Sequence, residues 1–222
     1  MTQPTLEPAD GVLSDADRLE LQLLADQLTR MRSMLFGYSE RFFGTIRTWA
    51  FLTIGLLVVS AVVPAAVVPV PFIVPFAFLE TGYLFFYTVF ARRHAERLEQ
   101  TINERFGREV LAAHRLEAAY LYPPDAPKIA AFSLGNPLGF GSVATLGYTA
   151  GGAILWLAGM IGLSDLVART GSAGVTGLLV PGAIAWTTLI AAYLLWTFLA
   201  RRDEDRLMRE LETAYRRGRE PR

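Results

Sequence analysis

The sequence predicts an all-α, polytopic integral membrane protein: four transmembrane helices in two hairpins, joined to extended amphipathic cytoplasmic helices. Three observations carry this. The hydrophobic residues, 52% of a 222-residue chain, are gathered into charge-poor blocks. Each of the two blocks holds two crossings of a bilayer core about 30 Å thick, at about 20 apolar residues per crossing. Basic residues then fall almost entirely on one side of the resulting threading.

The first block lies between Arg47 and Arg92, 44 residues with Glu80 as the single carboxylate and no Lys or Arg. It reads as helices over 49–68 and 72–91. Pro64, Pro69, Pro71 and Pro75 cluster at the join, where a backbone donor is not needed to continue a helix. A buried hairpin in a soluble protein would need a large polar shell, which the chain lacks.

The second block runs from Lys128 to Arg201, interrupted only by Asp165 and Arg169 in a small, polar loop over 164–177. Asn136 and Pro137 suit an N-cap and first helical turn. From there the chain skims the interface through Phe140 and crosses over 143–163. The glycine-rich stretch 135–141 lacks the Gly-Lys-Ser/Thr ending of a phosphate loop and reads as an entry turn. A fourth crossing spans 178–200, with Pro181 in its first turn.

Orientation follows from the basic residues. Five precede the first block, seven lie over 92–128 and eight follow from Arg201, against Arg169 alone on the other side. Both termini and the middle loop are expected in the cytoplasm. Twenty Arg to one Lys suggests a high-GC bacterial genome, hence a bacterial inner membrane. The start is polar and acidic, without the pattern of a signal peptide. The expected organisation is a disordered tail over 1–13, a coiled-coil-like amphipathic helix over 14–47 and a transmembrane hairpin over 48–91. A cytoplasmic helix and proline-containing loop over 92–135, a second hairpin over 136–200 and a cytoplasmic helix over 201–222 complete it.

Ser14 with Asp17 forms a capping-box pattern. Leu21, Leu24, Leu28, Met31, Leu35, Tyr38 and Phe42 then recur at alternating spacings of three and four. That stripe can pack on the rest of the chain, join two protomers as a coiled coil, or lie on lipid. Gly37 and Gly44 offer places to bend. Beyond Arg92 and Arg93 a second stripe, Leu98, Ile102, Phe106, Val110, Ala113, Leu116 and Tyr120, predicts one helix reaching to Pro123. It would project about 40 Å into the cytoplasm, supported by a Glu104–Arg108 pair. Leu207, Leu211 and Tyr215 continue the fourth crossing likewise. Three such stripes can cover one another. Arg92, Arg93, Arg201 and Arg202 are the interface anchors. A shift of 109 residues aligns 88–98 with 197–207 at six identical positions of eleven, consistent with duplication of a hairpin or with a shared need for Arg at the headgroups.

Few residues point to chemistry. Glu80, inside a crossing, must hold a proton or find donors, for which Thr81, Tyr83, Thr187 and Thr188 are the candidates. These five define a candidate ion pathway, or else a packing network. Gly147 and Gly151 have the small-xxx-small spacing of close helix packing. Leu21, Leu24, Leu28, Met31 and Leu35 are candidates for cytoplasmic association. Without cysteine there is no thiolate chemistry. His94 and His114 stand twenty apart without a carboxylate cluster, so no metal or cofactor is expected. Equal counts of 21 basic and 21 acidic residues give no basic face for nucleic acid. The expected partners are the lipid bilayer and further copies or subunits of a membrane complex. The function these features favour is a non-enzymatic membrane subunit, scaffold or sensor. The alternative is a small oligomeric channel or transporter using Glu80.

Overall fold

The computed structural model describes residues 14–120, 128–129, 132–133, 140–171, 176–200 and 202–217. Those residues are helical almost throughout: α1 (Asp15–Ser60), α2 (Val70–Phe106), α3 (Ala113–Tyr120), α4 (Phe140–Thr170), α5 (Thr176–Ala200) and α6 (Arg202–Arg217). A two-residue antiparallel ladder, β1 (Lys128–Ile129) with β2 (Phe132–Ser133), is the exception. Four stretches are long and apolar enough to cross a membrane: Asp15–Ser60, Pro64–Phe106, Ser142–Thr170 and Thr176–Thr197. By length and composition this is a multi-pass membrane protein. The tail over 1–13, the prolines over 123–127, the entry turn through 139 and Arg201 lie outside the described residues.

Helix α1 starts where the capping box puts it. The Ser14 hydroxyl accepts from Asp17 N–H at 3.2 Å, and the Asp17 carboxylate accepts from Ser14 N–H at 3.3 Å. The helix then runs 46 residues, passing Gly37 and Gly44 without interruption. It stops at Ser60, eight residues short of the end expected from the apolar run. Pro64 explains the stop: the residue before a proline is pushed out of the helical region, and Val63 has φ −118° and ψ 90°. A 3-10 turn, Pro64–Val67, carries the chain into α2. Pro71 falls in the first turn of α2, where its missing N–H is not needed, and Pro75 is accommodated inside the helix.

The single long helix expected over 72–120 is broken. α2 ends at Phe106 because Gly107 takes the left-handed conformation, φ 61°, that glycine adopts freely. The Asn103 side chain then fixes the turn. Its carbonyl oxygen accepts from Val110 N–H at 2.9 Å and Leu111 N–H at 2.8 Å, and its amide donates to the Leu111 carbonyl at 2.7 Å. Arg108 lies past the helix end, so the i,i+4 geometry for Glu104–Arg108 does not form. The projecting part of α2 is therefore about 20 Å long, half the expected length.

The loop expected over 164–177 is also shorter. α4 continues to Thr170, with Arg169 reaching back to Asp165 at 2.6 Å, and Gly171 ends it at φ 87°. α5 resumes at Thr176.

α1 and α2 lie antiparallel along nearly their whole length. Glu20 meets Arg105 at 2.6 Å, Tyr38 stacks on Tyr87 at 5.1 Å, and Trp49 meets Phe76 edge-on at 5.8 Å. Leu28 and Met31 form a buried cluster with Ala95, Leu98 and Ile102, flanked by Leu24, Met34 and Leu111. The first stripe thus packs on the second within one chain. α4 joins α2 and the 3-10 turn before it through glycine: a Cβ at Gly152 would stand 2.5 Å from Phe78, one at Gly159 2.4 Å from Val70, and one at Gly162 2.7 Å from Val67 in the turn. α5 docks on both neighbours, the Trp186 indole donating to the Phe72 carbonyl at 3.1 Å and the Trp156 indole to the Thr187 hydroxyl at 3.0 Å. α6 touches α2, with Leu211 buried.

Candidate functional site

Two carboxylates are engaged between α1 and α2, the buried Glu99 in the charged half of α2 and the half-buried Glu80 in its apolar half. Glu99 lies on the buried face of α2, in the series Ala91, Ala95, Glu99 and Ile102, and is 1% exposed. A charge so enclosed costs several kcal/mol unless matched. Three donors match it. Arg32 on α1 forms an ion pair with one oxygen. The other accepts from His114 N–H at 3.0 Å and stands 2.9 Å from His114 Nδ1. Burial pushes the Glu99 carboxyl up, but the His114 and Arg32 hydrogen bonds together hold it below the ordinary carboxylate value. His114 opens α3, so Glu99 ties three helices together where α2 would otherwise stand alone. One turn away the Gln27 amide lies 3.3 Å from His94 Nε2, and burial lowers the pKa of that imidazole.

Glu80 occupies the apolar half of α2. Its donor is the Trp49 indole of α1, at 2.6 Å. None of the four hydroxyls expected to serve it does so. Thr81 is buried, donates to the Ala77 carbonyl at 2.8 Å and faces the Tyr148 hydroxyl at 3.0 Å. Tyr83 is exposed and donates to Tyr87 at 3.1 Å. Thr187 donates to the Ala183 carbonyl at 2.7 Å on the α4–α5 seam, and Thr188 is exposed. The physical reason is helical direction. Thr81 and Tyr83 leave α2 on other faces than Glu80, and α5 meets α2 near Phe72, two turns away. The polar atoms are thus dispersed over three seams and do not line one path. Pro69, Phe72, Ile73, Phe76 and Trp186 border an open groove of about 370 Å³, and it is apolar.

The other residues singled out by sequence divide by placement. Leu28 and Met31 are buried, while Leu21, Leu24 and Leu35 are half-buried along the same face. Gly147 and Gly151 are not where α4 approaches a neighbour, since a Cβ at either meets nothing within 4 Å. Arg92 and Arg93 are half-buried at the level where the apolar stretch of α2 ends, and Arg93 pairs with Glu96 at 3.1 Å. Arg202 begins α6, and its side chain lies outside the described residues. Among the described residues no three His, Asp or Glu side chains gather as metal ligands would.

Sequence reasoning passed over Glu99, Arg32 and Trp49, and weighed His114 only as a metal ligand, without its carboxylate partner Glu99. A signal existed for the first two: Glu99 sits on the apolar stripe of α2, and Arg32 stands beside Met31 on that of α1. His114 had no local signal, because only the turn at Gly107 returns it to α2. No family model, curated protein or solved structure matches this chain.

Proposed function

We propose that this chain is a non-enzymatic, multi-pass protein of the bacterial inner membrane, with both termini in the cytoplasm. It serves as a subunit or scaffold that assembles through its helices. The four apolar helices thread the bilayer as two hairpins, and the α1–α2 pair continues about 20 Å beyond the headgroups. The observation that carries the reading is the Glu99 junction. Three helices are pinned by a buried, fully matched carboxylate outside the apolar zone, which makes the cytoplasmic pair a rigid post for contacts. The dispersal of hydroxyls away from Glu80 supports assembly over ion conduction, since conduction needs polar groups in series.

The two readings part at Glu80. A glutamine oxygen still accepts from the Trp49 indole, so Glu80→Gln leaves the size of the detergent-extracted complex unchanged. Liposomes holding the wild-type protein show no proton or cation flux above empty ones. A wild-type flux that Glu80→Gln abolishes would replace this reading with the channel.

A further inference from the structure

The register of the helices places charge that is unmatched among the described residues in the apolar zone, on a face of α1 that no described residue covers. Trp186 sits beside Phe72, and the short link from α4 makes α5 run parallel to α2. The end of α5, fourteen residues on, therefore lies level with Phe86, beside the stacked pair Tyr87 and Tyr38. That level is the inner edge of the bilayer. A crossing of about 20 residues that ends at Ser60 likewise begins near Arg41. Glu40 and Arg41 stand just inside this edge, and Arg47 lies nine residues past Tyr38, about 13 Å deeper along the axis.

All three are exposed, and none makes an ion pair or side-chain hydrogen bond among the described residues. Charges on a lipid-facing surface are costly and normally turn to protein or water. No described residue supplies that cover, which leaves the face open to another chain.

The pattern of the face says which chain. Successive residues turn about 100°. By that rotation Gly37, Gly44, Thr48 and Gly55 form its midline, directly opposite the face that holds Leu28, Met31 and Thr53. Glu40 and Arg41 flank the midline on opposite sides. Two copies in one membrane share their orientation, so a two-fold contact between them is parallel. The edge that bears Glu40 in one copy then meets the edge that bears Arg41 in the other, twice over by symmetry. A Cβ at Gly37, Gly44 or Gly55 meets nothing within 4 Å, so a second backbone has room to approach.

We infer that this face of α1 is a two-fold contact with a second copy of the chain, with Glu40 of each copy paired to Arg41 of the other. The inference rests on the membrane-assembly reading above and names its surface.

The absence of cysteine makes the test direct. Thr48→Cys, oxidised in native membranes, gives a disulfide-linked species of twice the chain mass, whereas Leu189→Cys on the exposed side of α5 stays single. Glu40→Arg in the Thr48→Cys chain lowers the cross-link about tenfold, the combined scale of two symmetric polar contacts between membrane helices at about threefold each. Adding Arg41→Glu restores it. Glu40 and Arg41 make no ion pair or side-chain hydrogen bond among the described residues, and Thr48→Cys gives up only a bond to the Gly44 carbonyl within its own helix, so the fold is retained. A cross-link indifferent to Glu40→Arg, a Leu189→Cys product without a Thr48→Cys product, or a Thr48→Cys adduct to a foreign chain would each overturn the inference. Extraction of the unmodified protein separates the two claims. Several copies without the Thr48→Cys link refute this face alone, and a lone chain refutes self-assembly as well.

Discussion

Two carboxylates, Glu99 buried and Glu80 half-buried, show what one residue can decide here. Glu99 is enclosed with Arg32 and His114, and removing its charge leaves Arg32 facing a cavity. Glu99→Ala should lower stability by about 3 kcal/mol, the scale for breaking a buried pair. It should also free the turn at 107–112. The sign of the pH dependence follows from the carboxyl being held below its ordinary value of 4.5. The stabilisation is complete above that value and is lost as pH falls through the lower folded one. Amide protection factors at Val110 and Leu111, corrected for intrinsic exchange, should hold near pH 6 and fall toward about pH 3. Equal protection at both, or in Glu99→Ala, would contradict the role given to Glu99. Glu80 teaches a different lesson. Its isolation in an apolar run was legible in the sequence, but its donor was not, because Trp49 comes beside it only through the antiparallel register of α1 and α2.

Among elements, the apolar runs were legible and their ends were not. A hydropathic run cannot tell a helix from the turn that follows it, so α1 was carried past Ser60 into a segment bent by Pro64. Nor does the absence of proline guarantee a continuous helix: Gly107 and the Asn103 side chain end α2 within an otherwise regular stripe. The glycines of α4 make the same point. Spacing favoured Gly147 and Gly151, but Gly152 and Gly159 meet α2 and Gly162 meets the 3-10 turn before it, because contact depends on which face turns inward. This separates two substitutions of identical chemistry. Gly159→Ala forces a Cβ against Val70 and should lower the melting temperature in detergent, at a cost of about 1–3 kcal/mol. Gly147→Ala meets open space and should leave the fold as stable as before. A drop of equal size in both, or in Gly147→Ala alone, would mean that α4 is turned otherwise.

At the scale of the whole molecule, charge sorting and the four apolar stretches foretold the all-helical, multi-pass architecture. The way its parts close on one another was beyond a linear reading. The α1–α2 pair satisfies its own stripes and so withdraws Leu28 and Met31 from any coiled coil between chains. Among the described residues, what stays uncovered is the opposite face of α1, where charge and glycine coincide. On the proposed threading, that face would carry ionisable groups within the bilayer, and the proposed contact with a second copy would cover them. The measurement that tests this most directly is the mass and composition of the complex drawn from native membranes in mild detergent. The account predicts more than one copy of the 24.5 kDa chain per particle, alone or with other subunits. A particle holding a single copy and no companion would contradict it.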